Sequence, residues 1–146
     1  MHTPTKEPEE LSRYLAIIKD AAWEVRNILN SGFPENCYRD ALLVELRLRG
    51  LKCDKEWPIK VYYKGIEVGN YYADLLVEDS IIIELKMVKA LSVAHSMQLV
   101  NYLTGTGIEL GVLINYGFDY QIMVKTRAYK DPRFKRVLAS FPYYDI

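Results

Sequence analysis

Seven residues near the middle of the chain, Ile81-Ile82-Ile83-Glu84-Leu85-Lys86-Met87, restrict the fold more than any other stretch. A short, almost unbroken apolar run is a strand covered on both faces, which places it inside a sheet with helices packed against it. Two ionisable groups, Glu84 and Lys86, interrupt that run, and Asp74 interrupts the preceding apolar segment Ala73-Asp74-Leu75-Leu76-Val77 in the same way. Asp is poorly suited to strands, and charge inside a sheet is costly unless it is paired or binds something. This conflict between pattern and charge is where function is to be sought.

The rest of the chain supplies the layers. Leu11, Tyr14, Leu15, Ile18, Ala22, Val25 and Leu29 recur at steps of three and four, predicting a helix over about 9–30 that Asn30-Ser31-Gly32 ends. A second helix is expected from Pro34 to Gly50, with Leu42, Leu46 and Leu48 on its buried side. The period then changes to two. Ile59, Val61 and Tyr63 alternate, Lys64-Gly65 turns the chain, and a return strand runs from Ile66 to Val77. After the Ile81–Met87 strand, Ser92 is a plausible cap for a helix to about Leu103, broken by Gly105 and Gly107. Leu110–Ile114 and Gln121–Thr126 read as further strands, and 131–140 as a last short helix. The expected class is α/β, a single mixed central β-sheet flanked by helices.

Composition sets outer limits. A chain of 146 residues, half of them apolar, suits one domain over 1–146. No apolar run is long enough to span a bilayer and the N-terminus carries no signal-like apolar segment, so a cytoplasmic protein with no membrane partner is expected. Cys37 and Cys53 do not form a CxxC pair and read as free thiols, and with His2 and His95 they are too scattered for a structural zinc. Nineteen basic and 19 acidic side chains cancel, which argues against gripping nucleic acid by bulk charge. Locally, Lys125, Arg127, Lys130, Arg133, Lys135 and Arg136 face only Asp131. That run is a phosphate-binding patch or a solvated surface.

Strand parity sharpens the central conflict. Glu84 and Lys86 are two apart and share a face. With Glu78-Asp79-Ser80 as a three-residue turn, Val77 pairs with Ile81, and Asp74 lies across from Glu84. Carboxylates on directly opposed residues, with Cβ atoms roughly 4.5–5.5 Å apart, repel unless a cation sits between them. Oxygen ligands suit a hard cation, Mg²⁺ or Mn²⁺. An ion pair with Lys86 is the simpler alternative, though it leaves one carboxylate uncompensated.

Asp74, then Glu84-Leu85-Lys86 ten residues on, resembles the (P)D…(D/E)XK signature of restriction-endonuclease-like nucleases, with Ala73 in place of its Pro. Gly32-Phe33-Pro34-Glu35-Asn36-Cys37-Tyr38 is similar to the GxxExxY motif that names a family of small proteins in that PD-(D/E)XK superfamily. Tyr63-Lys64-Gly65, Gln98-Leu99-Val100-Asn101-Tyr102-Leu103 and Gly111–Gly117 fit the same pattern, so the likeness covers about 15–127 and leaves the tail 128–146 outside. One departure is Arg26, where that family often has His.

The resemblance implies a restriction-endonuclease-like core and a metal-dependent nuclease, with DNA as nucleic-acid partner and a homodimer where two strands are cut. It implies Asp74, Glu84 and the Leu85 carbonyl as metal ligands and Glu35 as a helix-borne acid holding metal directly or through water. It makes Lys86 the residue that orients or deprotonates the attacking water, and it puts Gln98 at the substrate phosphate or the metal's waters. Glu35 is also explained by a helix N-terminus alone. Tyr38, His95, Gln98, Tyr102, Lys125, Arg127, Arg133 and Lys135 complete the candidate substrate contacts, His95 having a structural alternative. From another class, the chain is a noncatalytic nucleic-acid-binding or protein-interaction module keeping the nuclease fold.

Overall fold

The computed structural model of the chain describes residues 6–127. The elements follow in the order α1 (Pro8–Leu29), α2 (Glu35–Leu48), β1 (Cys53–Tyr63), β2 (Ile66–Val77), β3 (Ile81–Lys86), α3 (Val93–Thr106), β4 (Leu110–Asn115) and β5 (Gln121–Thr126). The strands form one mixed sheet in chain order, β3 and β4 parallel and the other neighbours antiparallel. This is the α/β architecture the sequence predicts. The helix expected over 131–140 lies outside the described residues.

Helices sit on both faces because β3 and β4 are apolar on both. One core joins Leu11, Tyr14, Leu15 and Ile18 of α1 and Tyr38, Leu42 and Leu46 of α2 to Leu75, Ile81, Ile83, Leu85, Val112 and Ile114. The other sets Leu99, Tyr102 and Leu103 of α3 on Ile59, Ala73, Leu76, Ile82 and Leu113. Alternation along β3 therefore sends Ile81, Ile83 and Leu85 to α1 and α2, and Ile82, Glu84 and Lys86 to the α3 side.

Several boundaries differ from expectation. Pro34 caps α2 rather than opening it, and Leu48 is exposed at the helix end while Leu43 is buried in its place. Strand β1 begins at Cys53, not Ile59. The third helix continues past Gly105 to Thr106, and Gly107 ends it in the left-handed conformation (φ 78°). Both cysteines are free, Cys53 buried and Cys37 exposed.

The C-terminal end of the sheet is locked by polar contacts. Asn115 is fully buried at the end of β4. Its Oδ1 accepts from the N–H groups of Val88 (3.1 Å) and Gly117 (2.9 Å), and its Nδ2 donates to the carbonyls of Val88 (2.9 Å) and Asp119 (3.1 Å). Tyr116 N–H donates to the Lys86 carbonyl at 2.9 Å. Arg26 of α1 donates to the carbonyls of Tyr116, Gly117 and Phe118 at 3.2, 2.6 and 3.0 Å. The departure at position 26 thus has a job: its guanidinium satisfies three carbonyls of the β4–β5 turn.

Gly117 is required by close approach, since a Cβ there would lie 2.2 Å from the Val88 carbonyl oxygen. Backbone meets backbone here, so neither can swing aside. Gly117→Ala is expected to destabilise the protein by about 1–3 kcal/mol, the usual cost of overpacking. Urea unfolding monitored by circular dichroism measures it, and an unchanged midpoint contradicts the close approach.

Candidate active site

The site forms where two strands part. Strand β2 pairs with β3 only at Leu75–Ile83, Leu76–Ile82 and Val77–Ile81. The next step would set Asp74 against Glu84, as strand parity anticipates, but side chains take over there. The Asp74 N–H donates to Glu84 Oε1 at 3.1 Å, and the Leu85 N–H donates to Asp74 Oδ2 at 2.7 Å. Two carboxylates stand in for the missing ladder and satisfy amides that would otherwise be unpaired.

The strands also turn over at this point. Leu75 packs with α1 and α2, yet Ala73, two residues back, packs with α3. In a regular strand such residues share a face. Across from the turnover Glu56 adopts φ 53° in β1. The gap so created is reached from both sides of the sheet, which lets α2 and α3 each contribute.

From α3, Gln98 and Tyr102 share a helix face at i and i+4. Lys86 Nζ donates to Gln98 Oε1 at 2.9 Å. Gln98 also bonds the Tyr102 side chain, and Tyr102 feels the charges of Glu84 and Asp74. From α2, Glu35 lies within electrostatic reach of Asp74 and Lys86. Among the described residues, however, no three His, Cys, Asp or Glu side chains are gathered as a ligand cluster.

Burial, and for Glu84 and Glu35 the charge of Asp74, set the electrostatics. Glu84 is 6% exposed. Desolvation, then the charge of Asp74, pushes its carboxyl up to about 8, while the Asp74 amide and Lys86 oppose the shift. Desolvation likewise raises Asp74, against the Leu85 amide, Lys86 and Arg39. Glu35 is raised by desolvation and then by Asp74. The group is short of positive charge. Its two carboxylates offer oxygen donors, and oxygen donors suit a hard cation, Mg²⁺ or Mn²⁺.

Arg39 was not among the expected site residues. One turn after Glu35, it bonds Asp40 and Glu56 at 3.0 Å each, and its charge reaches Asp74 and Glu35. The i, i+4 spacing from Glu35 was the available signal.

Other expectations need correction. Tyr38 is fully buried. Its ring stacks on Tyr116 at 4.8 Å, and its hydroxyl donates to the Asn30 carbonyl and accepts from Phe33 N–H. It holds the α1–α2 loop and cannot meet substrate. His95 is the third helical residue of α3 and closes a capping box, its Nδ1 accepting from Ser92 N–H at 3.0 Å. That contact supplies the structural alternative through Nδ1. Of the basic run, only Lys125 and Arg127 fall among the described residues. Lys125 is buried in β5, and Arg127 pairs with Glu109 and the Gly107 carbonyl. Arg133 and Lys135 lie outside the described residues.

A pH signature follows. Glu84 titrates near 4.5 without perturbation and near 8 in the fold. Between those values the folded protein keeps a proton that the unfolded chain releases. Stability from this group is complete below about 4.5 and is lost as pH rises through about 8. Asp74 and Glu35 add to the same slope. Denaturation in chelator across this range is expected to show falling stability, flattened in Glu84→Gln and by added Mg²⁺. A wild-type curve no steeper than that of Glu84→Gln contradicts the assignment.

With this geometry in view, comparison with known proteins is informative. A family model described as PD-(D/E)XK nuclease superfamily matches residues 12–127. A solved structure, "Crystal structure of SSO0001", is similar over 86% of this chain and 68% of its own, at 20% identity and a TM-score of 0.48. No curated protein gives a significant match.

Proposed function

The chain belongs to the PD-(D/E)XK nuclease superfamily, and from that premise we propose that it is a divalent-metal-dependent nuclease hydrolysing phosphodiester bonds in DNA. The observation that carries this reading is the Asp74–Glu84 pair, two desolvated carboxylates left short of positive charge beside Lys86. Superfamily members typically use divalent metals. Asp74, Glu84 and the Leu85 carbonyl are the groups that would hold Mg²⁺ or Mn²⁺, with Glu35 acting through water. A cation there supplies a lowered pKa for an attacking water and a counter-charge for the attacked phosphate.

The remaining work falls to the protein's own side chains. Lys86 is held in place by Gln98 and stands beside the carboxylates, where its ammonium orients the attacking water and offsets charge that develops on the phosphate. Gln98, exposed on α3, accepts from Lys86 through its Oε1 and bonds Tyr102, and its remaining amide N–H would donate to a phosphate oxygen. Tyr102 packs with Leu99 in the α3 core within reach of the Glu84 charge. Arg133, Lys135 and the other tail cations would add backbone contacts that position the strand without cutting it. The likeness to GxxExxY proteins rests on the motif residues alone.

Labelled single-stranded DNA, duplex DNA and RNA, incubated with Mg²⁺ or Mn²⁺, test the proposal. Cleavage of DNA is expected, and Glu84→Gln and Lys86→Ala are each expected to lower the rate about a hundredfold or more with the fold intact. Cation binding by calorimetry that Asp74→Ala abolishes, with no cleavage of any probe, would favour the noncatalytic binding module instead.

A further inference from the structure

Beyond Asp74 the sheet becomes a two-stranded ribbon. Residues Ile66–Ala73 of β2 pair with β1 alone, because β3 pairs only with Leu75–Val77. A ribbon of two strands carries few buried residues, and Tyr62, Tyr63, Tyr71 and Tyr72 are all exposed on it. Tyr71 differs from the other three in being built into place. Its ring lies back over Gly69, where a Cβ would come within 2.9 Å of Tyr71 Cε2. Its other neighbour is Tyr102, at 5.7 Å between centroids and 39° between planes. The ring is nevertheless 48% exposed. An aromatic oriented on two sides and open on the rest is a platform prepared for a flat ligand.

Resting on the nuclease reading of the Asp74–Glu84 centre, we propose that Tyr71 is a stacking platform for an unpaired nucleobase of the bound strand, so that the substrate is nucleic acid with a single-stranded segment at the site. Position supports this occupant. Tyr71 touches Tyr102, Tyr102 bonds Gln98, and Gln98 bonds Lys86, so the ring lies one side chain beyond the groups that would meet the phosphate. Lys64, in the turn that ends the ribbon, offers a cation for the adjoining backbone, whereas Lys60, paired with Glu67 at 3.5 Å, has Asn70 as its register partner and so lies on the face opposite Tyr71. Strand addition by a second copy along the outer edge of β1 is disfavoured, because that strand is interrupted by Pro58, which lacks an N–H, and by Glu56 at φ 53°. A base inside a duplex is covered on both faces by its neighbours, so the platform needs an unpaired one.

Fluorescence anisotropy with three labelled probes of one length tests the proposal, using Ca²⁺ in place of Mg²⁺: a mixed-sequence single strand, its blunt duplex, and an abasic strand. Wild type is expected to bind the base-bearing single strand tighter than the other two. Tyr71→Leu keeps an apolar group against Tyr102 but removes the π face, and should weaken binding of the base-bearing strand about tenfold and leave the abasic strand unchanged. Tyr71→Phe should stay within about twofold of wild type. Thermal melting confirms that both variants fold. The inference is overturned if Tyr71→Leu binds the base-bearing strand like wild type, if it loses equally on the abasic strand, or if the duplex is bound as tightly as the single strand. Wild-type protein that binds none of the three probes would remove the nuclease reading itself, a different result from binding that ignores Tyr71.

Discussion

The exchange of backbone pairing for carboxylate bonds between β2 and β3 is the interaction on which the site depends. A sheet normally satisfies each amide with a carbonyl across the gap. Here Asp74 and Glu84 accept those amides, and the strands separate without leaving donors stranded. The substitution has two effects. It opens a gap that side chains from α2 and α3 both reach, and it buries two carboxylates whose proton affinity desolvation raises, that of Glu84 further through the charge of Asp74. A group that must carry negative charge in a dry place has high affinity for a cation, so the structural solution and the proposed chemistry are one arrangement.

The rigidity that such a site needs comes from the neighbouring end of the sheet. Lys86 is the last residue of β3, and a strand end tends to fray. The Lys86 carbonyl is held by Tyr116, the Val88 amide and carbonyl by Asn115, and the following turn by Arg26 from α1. Tyr116 also donates to the buried Ala22 carbonyl and stacks on Tyr38, which anchors the loop leading to Glu35. One set of contacts therefore indexes both Lys86 and Glu35 to α1. Family-like positions with no chemistry of their own, Tyr38 and Gly117 among them, are explained as parts of this frame.

On the α3 side the organisation is looser and more exposed. Gln98 and Tyr102 meet Lys86 and the acids, while Tyr71 extends the same surface on to the ribbon. The ribbon is long because β1 and β2 continue past their pairing with β3, and among the described residues its tyrosines are left exposed, Tyr71 alone resting against Tyr102 of α3. Turnover of both strands at Asp74 and Glu56 joins the rigid sheet to this projecting part.

Much of this was legible in the residues. The apolar run interrupted by Glu84 and Lys86 gave a central strand carrying two ionisable groups. The Glu78–Ser80 turn gave the register that sets Asp74 near Glu84, and the i, i+4 spacing paired Gln98 with Tyr102. These readings succeed because strand parity, turn length and helix pitch are local and act through neighbours in the chain. What the chain could not show is which partner each polar group finds across the fold. Tyr38 looked like a site residue and became core, because Asn30 and Tyr116 occupy it from other elements. Lys125 looked like surface charge and was buried by its strand, while Arg39 and Asn115 acquired their importance from contacts made by folding. Sequence by itself determined the order of elements, the mixed α/β class and the conflict between charge and burial at positions 74, 84 and 86. Only the tertiary structure decided which of the remaining polar groups resolve that conflict, because partner choice depends on distances between segments remote in the chain, and those are set by packing alone.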